Sequence, residues 1–126
     1  MQVDQARYRQ IERLIQKNRH LSTHFVLAVD ARTIKEVRKQ ISVADISILV
    51  HMLGHKHYGV ASAASGLLVT LGEQTRPSLV IAKNVKNSPA AIHAQDALQG
   101  LDDCADEKIR DTVNPDLCPA EHPIPR

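Results

Sequence analysis

A chain of 126 residues, 43% hydrophobic and 24% charged, is long enough for one domain with a sizeable core and too short for two. Those proportions lie far from the low-hydropathy, high-charge composition of disordered chains, so the chain is expected to fold. Sixteen Lys and Arg against fourteen Asp and Glu leave a formal charge of +2, too small by itself to imply a polyanionic partner.

The apolar share is almost wholly Ala, Leu, Val and Ile, with one Phe, two Tyr and no Trp. Small aliphatics disfavour a reader of nucleic acid that stacks bases on aromatic rings, and equally a pocket that grips a ring-shaped ligand. Five Gly and six Pro, most of them between apolar runs, favour helices over a many-turned sandwich.

Over residues 3–21, Tyr8, Ile11, Leu14 and Ile15 recur at helical spacing and predict an amphipathic helix. Its outer side is basic through Arg9, Arg13 and Lys17. The run 25–29, capped by Ser22 or Thr23, fits a strand or a buried helical turn equally well. Asp30 then precedes a helix carrying Ile34, Val37 and Ile41. Ile46, Leu49, Val50 and Leu53 form a one-sided stripe ending at Gly54. After a polar turn, Val60, Ala64, Leu67, Leu68 and Leu71 form another, closed by Gly72. The pattern repeats: Pro77 suits a first turn, Leu79, Val80, Ala82 and Val85 follow, Asn87 and Ser88 turn the chain, and Pro89 opens a helix with Ala91, Ala94, Ala97, Leu98 and Leu101. An acidic capping helix is expected over 105–113, and the prolines of 115–126 predict an extended, flexible tail.

A shift of thirty residues superimposes Leu49 on Leu79, Val50 on Val80, Ala61 on Ala91, Ala64 on Ala94, Leu68 on Leu98 and Leu71 on Leu101. Paired helices that cannot bury their apolar sides alone, repeated at such a period, read as an α-solenoid. The small Ala residues allow the second helix of each unit to approach its neighbours closely.

The segment 43–103, reading ADISILVHMLGHKHYGVASAASGLLVTLG and then RPSLVIAKNVKNSPAAIHAQDALQGL, resembles two HEAT repeats, 43–72 and 73–103, most like the short phycobilisome-lyase variety. His57 and Asn87 stand where that family usually has a turn Asp, and Ala61–Ser62 and Ala91–Ile92 where it has Arg. The 33–41 helix extends the series backwards as a degenerate first repeat. The resemblance implies an all-α fold: a short right-handed α-solenoid of HEAT-like hairpins over 1–114, with the amphipathic helix at its N-terminus and the tail after it.

Candidate chemistry is sparse. His51, His55 and His57 cluster, but no carboxylate or cysteine stands near them in sequence to complete a metal site, and the His-Glu pairs of HEAT-like metal hydroxylases do not occur. No nucleophile elbow, phosphate-cradling glycine loop or HExxH is present, so neither catalysis nor a cofactor is expected. Cys104 and Cys118 read as free thiols, the alternative being a disulfide that ties the tail back, and with no leader and no apolar run of membrane-spanning length a cytoplasmic setting is expected.

A binding surface is expected instead. The resemblance puts the second helices on the concave side, where Ser62, Ser65 and Val69 share one stripe and Ile92, Gln95 and Gln99 follow thirty residues later. Small polar groups with two exposed aliphatics suit another protein's helix or loop, as in an adaptor, inhibitor or immunity-type protein. Two alternatives are a nucleic-acid backbone on Arg9, Arg13 and Lys17, which the acidic Asp96, Asp102 and Asp103 disfavour, and a lyase-type chaperone for bilin attachment, which the resemblance alone suggests. The open ends of so short a stack call for caps or a homodimer.

Overall fold

The computed structural model describes residues 4–18, 31–110, 112 and 117–119, and every regular element among them is a helix. The 25–29 run, its candidate caps Ser22 and Thr23, the Asp30 cap, Val113 and the prolines 115, 123 and 125 lie outside the described residues.

Helix α1 spans Gln5–Asn18. It starts at Asp4, whose Oδ1 accepts from the backbone N–H groups of Ala6 and Arg7 at 3.1 Å and satisfies two of the first-turn donors. Ile11 and Ile15 are fully buried, and Tyr8 and Leu14 flank them. Helix α2, Ala31–Arg38, docks on the end of α1 through Thr33, whose buried hydroxyl donates to the Asn18 carbonyl at 2.9 Å. Ile34 and Val37 face the core, and Ile41 remains buried although the helix has already ended.

Ser42 and Asp45 then form a capping box. The Ser42 hydroxyl accepts from the Ala44 N–H at 3.2 Å, and Asp45 Oδ2 accepts from the Ser42 N–H at 3.0 Å. A short 3-10 turn, Val43–Asp45, leads straight into α3, Ile46–Met52. Thirty residues on, the same device recurs: a 3-10 turn, Glu73–Thr75, runs into α5, Arg76–Lys83, with Thr75 buried where Asp45 was. Here the Thr75 hydroxyl donates to the Gly72 carbonyl at 2.8 Å.

Between these lies α4, Tyr58–Leu71, and after Asn87, whose φ of 58° is one that Asn tolerates, comes α6, Pro89–Ala105. Ser88 caps α6 by accepting from the Ala90 N–H at 3.1 Å. Asp106 interrupts the chain before the four-residue α7, Glu107–Arg110.

Helices adjacent in sequence pack together as α1 with α2, α3 with α4 and α5 with α6. Contacts also run from α1 to α3 to α5 and from α2 to α4 to α6, so odd and even helices make two rows. Equivalent positions are buried at intervals of thirty: Ile34, Ala64 and Ala94; Val37, Leu67 and Ala97; Ile41, Leu71 and Leu101. In α4, eleven of fourteen residues are buried, because α1, α2, α3 and α6 all press on it. The α3 stripe differs from the expected one. Ile48 and Met52 are buried with Leu49 and Leu53, while Ile46 and Val50 are half-covered, since neighbours sit on more than one side of this helix. On α5, Val80 and Ile81 stay exposed, as does Val85 just beyond its end.

Cys104 and Cys118 form a disulfide, with Cα atoms 5.7 Å apart, which corrects the expectation of free thiols. The cause is the length of α6. It continues far enough to set Cys104 on its buried face, and the chain returns so that Leu117 and Cys118 pack against the core. Of the segment read as a flexible tail, residues 117–119 are half-buried, and Pro119 lies against Gly72, whose φ of 90° requires a residue without Cβ.

Candidate functional site

A groove of about 320 Å³ runs between α4 and α6. From α4, the positions Ser62, Ser65, Gly66 and Val69 fall on one helical face, and from α6, Asp96, Gly100, Asp103 and Cys104 do the same. Ile34 of α2 and Leu117 of the C-terminal segment complete the lining.

Two glycines set how closely the helices approach. A Cβ on Gly66 would fall 2.8 Å from Ile34 Cδ1, and one on Gly100 would fall 2.9 Å from Val69 Cγ2. An isolated glycine inside a strong helical pattern is the sequence signal that could have located these contacts. The apolar stripes mark neither glycine, because they trace only the aliphatic side of each helix.

The six residues expected to form a concave recognition stripe divide into two sets. Ser62, Ser65 and Val69 line the groove, whereas Ile92, Gln95 and Gln99 lie on the exposed side of α6 next to it. Val69 is not the exposed aliphatic that its spacing suggested. Only 6% of it is accessible, because Gly100 lets α6 settle onto it. Ser65 is likewise buried, at 7% exposure. Ile92 is the exposed aliphatic, at 64%.

The three acids noted near this surface also part company. Asp96 and Asp103 line the groove, Asp103 Oδ1 accepting from the Gln99 side-chain amide at 2.9 Å. Asp102 points to α5 and pairs with Arg76 at 2.9 Å. Arg76 also holds Glu73 at 2.7 Å, which depresses the Glu73 carboxyl below its ordinary range. Among the described residues that line the groove there is no Lys, Arg or His.

Arg9, Arg13 and Lys17 are exposed at successive turns of the outward side of α1, away from the groove, and no described residue pairs with them. Arg7 on the same helix turns inward to Asp45.

The histidines do not converge. His51 is exposed with its ring edge-on to Tyr8, centroids 5.7 Å apart. His55 Nδ1 accepts from the His57 backbone N–H at 2.9 Å, which leaves Nε2–H to donate to Glu12 Oε2. Glu12 stands forty-three residues away in sequence, beyond the reach of any local pattern. No cluster of three metal-binding side chains occurs among the described residues. His93, which the sequence did not single out, is buried against Tyr58 with ring centroids 5.0 Å apart. Burial pushes its imidazole below the usual histidine value, opposed by the charge of Asp96.

No family model, no curated protein and no solved structure matches this chain.

Proposed function

We propose that the chain is a short α-solenoid of three HEAT-like hairpins, α1–α2, α3–α4 and α5–α6, and that it works as a non-enzymatic protein-recognition module. The two rows of helices and the buried positions recurring every thirty residues support the architecture. The partner docks across the α4–α6 face, with Ser62, Ser65 and Val69 in the groove and Ile92, Gln95 and Gln99 beside it.

The observation that carries this reading is the juxtaposition of a groove with Ile92, a large aliphatic 64% exposed on the adjoining turn of α6. A protruding apolar anchor beside a concave polar-and-apolar surface is the arrangement that concentrates binding energy at protein interfaces. The groove hydroxyls accept no help from a base: no described side chain hydrogen-bonds Ser62 or Ser65, which leaves them at the low reactivity of ordinary serines.

Among the described residues no helix is long and apolar enough to cross a membrane. The expectation of a cytoplasmic setting rested in part on reduced thiols. The disulfide removes that ground, and its chemistry suits an oxidising compartment.

The test is affinity capture from source cells with the native chain and with an Ile92→Glu, Gln99→Glu variant. A stoichiometric protein held by the first and lost by the second is expected. A protein held equally by both, or none at all, would count against the reading.

A further inference from the structure

We propose that residues 117–119 are a strap across the α4–α6 groove, locked by the Cys104–Cys118 disulfide, and that a dithiol reductant unlocks it and opens the groove. That the opened groove then admits a protein rests on the recognition reading above; the strap itself does not.

Three consecutive residues make three different contacts. Leu117 lines the groove together with Ile34 and Val69. Cys118 is bonded to Cys104, near the C-terminal end of α6. Pro119 lies against Gly72, which ends α4. The segment therefore joins the far ends of both helices whose faces make the groove, and places an apolar side chain between them.

Little besides the disulfide holds it there. Among the described residues no backbone hydrogen bond ties 117–119 to a helix, and all three residues are only half-buried. Ordering the backbone costs conformational entropy at each residue, and the partial burial of one leucine does not offset that cost once the covalent tie is cut. The groove walls have independent support. Helix α6 is anchored by the buried Ala94, Ala97, Leu98 and Leu101, by its Ser88 cap and by the Arg76–Asp102 pair, and α4 is packed by four helices. Cutting the bond thus frees the strap and leaves the walls standing, with the Ile34 and Val69 side of the groove open to an incoming apolar side chain.

The unlocking step is thiol–disulfide exchange with a vicinal dithiol. Cys118 is half-buried whereas Cys104 is 7% exposed, so one thiolate of the reductant attacks the Cys118 sulfur. The electron pair of the S–S bond leaves with the Cys104 sulfur, which takes up a proton. The second thiolate of the reductant then attacks its own sulfur in the mixed disulfide and expels the Cys118 thiolate, which is protonated in turn. Two electrons and two protons pass to the protein, and the dithiol closes into a cyclic disulfide.

The experiment is amide-resolved NMR of the full chain, oxidised and then reduced with dithiothreitol, with Nile red fluorescence as the probe of the open groove. On reduction the heteronuclear NOE of Leu117 and Cys118 should fall to that of free chain. The amides of Gly66, Val69, Gly72 and Gly100 should shift, while those of Ile11, Ile15 and Leu49 stay in place. Nile red fluorescence should rise several-fold, and oxidised Leu117→Ala should show the same rise with the bond intact. Cys118→Ser should match the reduced native chain with or without dithiothreitol. The proposal falls if Leu117 and Cys118 keep their NOE after reduction, if Nile red does not respond, or if the whole spectrum collapses, which would make the bond a brace of the entire fold. A strap that opens while neither redox form captures a protein would sink the recognition reading alone, whereas a captured protein with a strap that stays in place would sink only this one.

Discussion

Arg7 and Asp45 meet as two forks, Nε on Oδ1 and Nη2 on Oδ2, each at 2.9 Å, and so join the first helix to the start of the third. Arg7 Nη2 also donates to the Gln40 carbonyl at 2.8 Å, and Asp45 closes the capping box with Ser42. The side chain of Asp45 is only 7% exposed, so removing its partner strands a carboxylate.

Arg7→Ala is expected to cost about 2 kcal/mol, below the full penalty for a buried pair because Arg7 itself reaches solvent. Arg7→Lys should not restore it, since a point charge cannot copy a two-pronged contact. Hydrogen bonding from Arg7, and then from the Ser42 N–H, holds the Asp45 carboxyl below its ordinary 3.8 against the opposing effect of burial. The stabilisation is therefore whole above that pH and is lost as pH falls through the lower folded value. Denaturant titrations of both proteins across acid pH should show the native-to-Ala difference shrinking below about 3.8.

His93 gives the opposite end of the pH scale. Burial lowers its pKa from 6.5, so between the folded value and 6.5 the unfolded chain binds more protons than the folded one. Stability should fall as pH drops from 6.5, with a slope no steeper than about 1.4 kcal/mol per pH unit for one proton. His93→Phe, which retains the ring packed on Tyr58, should abolish that slope. An unchanged slope in the variant would assign it to another group.

Gly66 and Gly100 should respond differently to the same methyl group. Either Gly→Ala change gains about 1 kcal/mol of helix propensity. At Gly66 the obstacle is Ile34 Cδ1, the swinging end of a side chain, and the net effect should be near zero. At Gly100 it is Val69, branched at Cβ and stiff, so Gly100→Ala should cost about 1–2 kcal/mol. Adding Val69→Ala to that variant should recover part of the loss relative to Val69→Ala alone, measured by chemical denaturation.

Reducing the Cys104–Cys118 bond releases a loop of fourteen-residue separation, worth about 3 kcal/mol for a closed loop near 15 residues. The denaturation midpoint should fall on treatment with dithiothreitol and in Cys118→Ser.

The helices were readable because their core positions are aliphatic at the proper spacing, and Ser88 and Pro89 mark the start of α6 by their chemistry alone. What the stripes could not show was burial on the remaining sides. Ser65 and Val69 lie away from the Leu67–Leu68 stripe and so read as exposed, yet α6 lies over them. The near absence of charge anywhere along α4 was the signal of a helix covered all round. In the sequence Asp96 and Asp103 speak only against a nucleic acid, because facing helices are needed to set two acids along one groove. The Cys104–Cys118 and Glu12–His55 contacts depend on how distant segments return to one another, which no local spacing encodes.

The enclosure of α4 by four other helices also sets an order of opening. Its amides cannot meet deuterium until the neighbours have let go, so the slowest exchange in the molecule belongs to residues such as Ala64 and Leu68 and marks the free energy of complete unfolding. Protection measured in that one helix is consequently a gauge of the whole molecule.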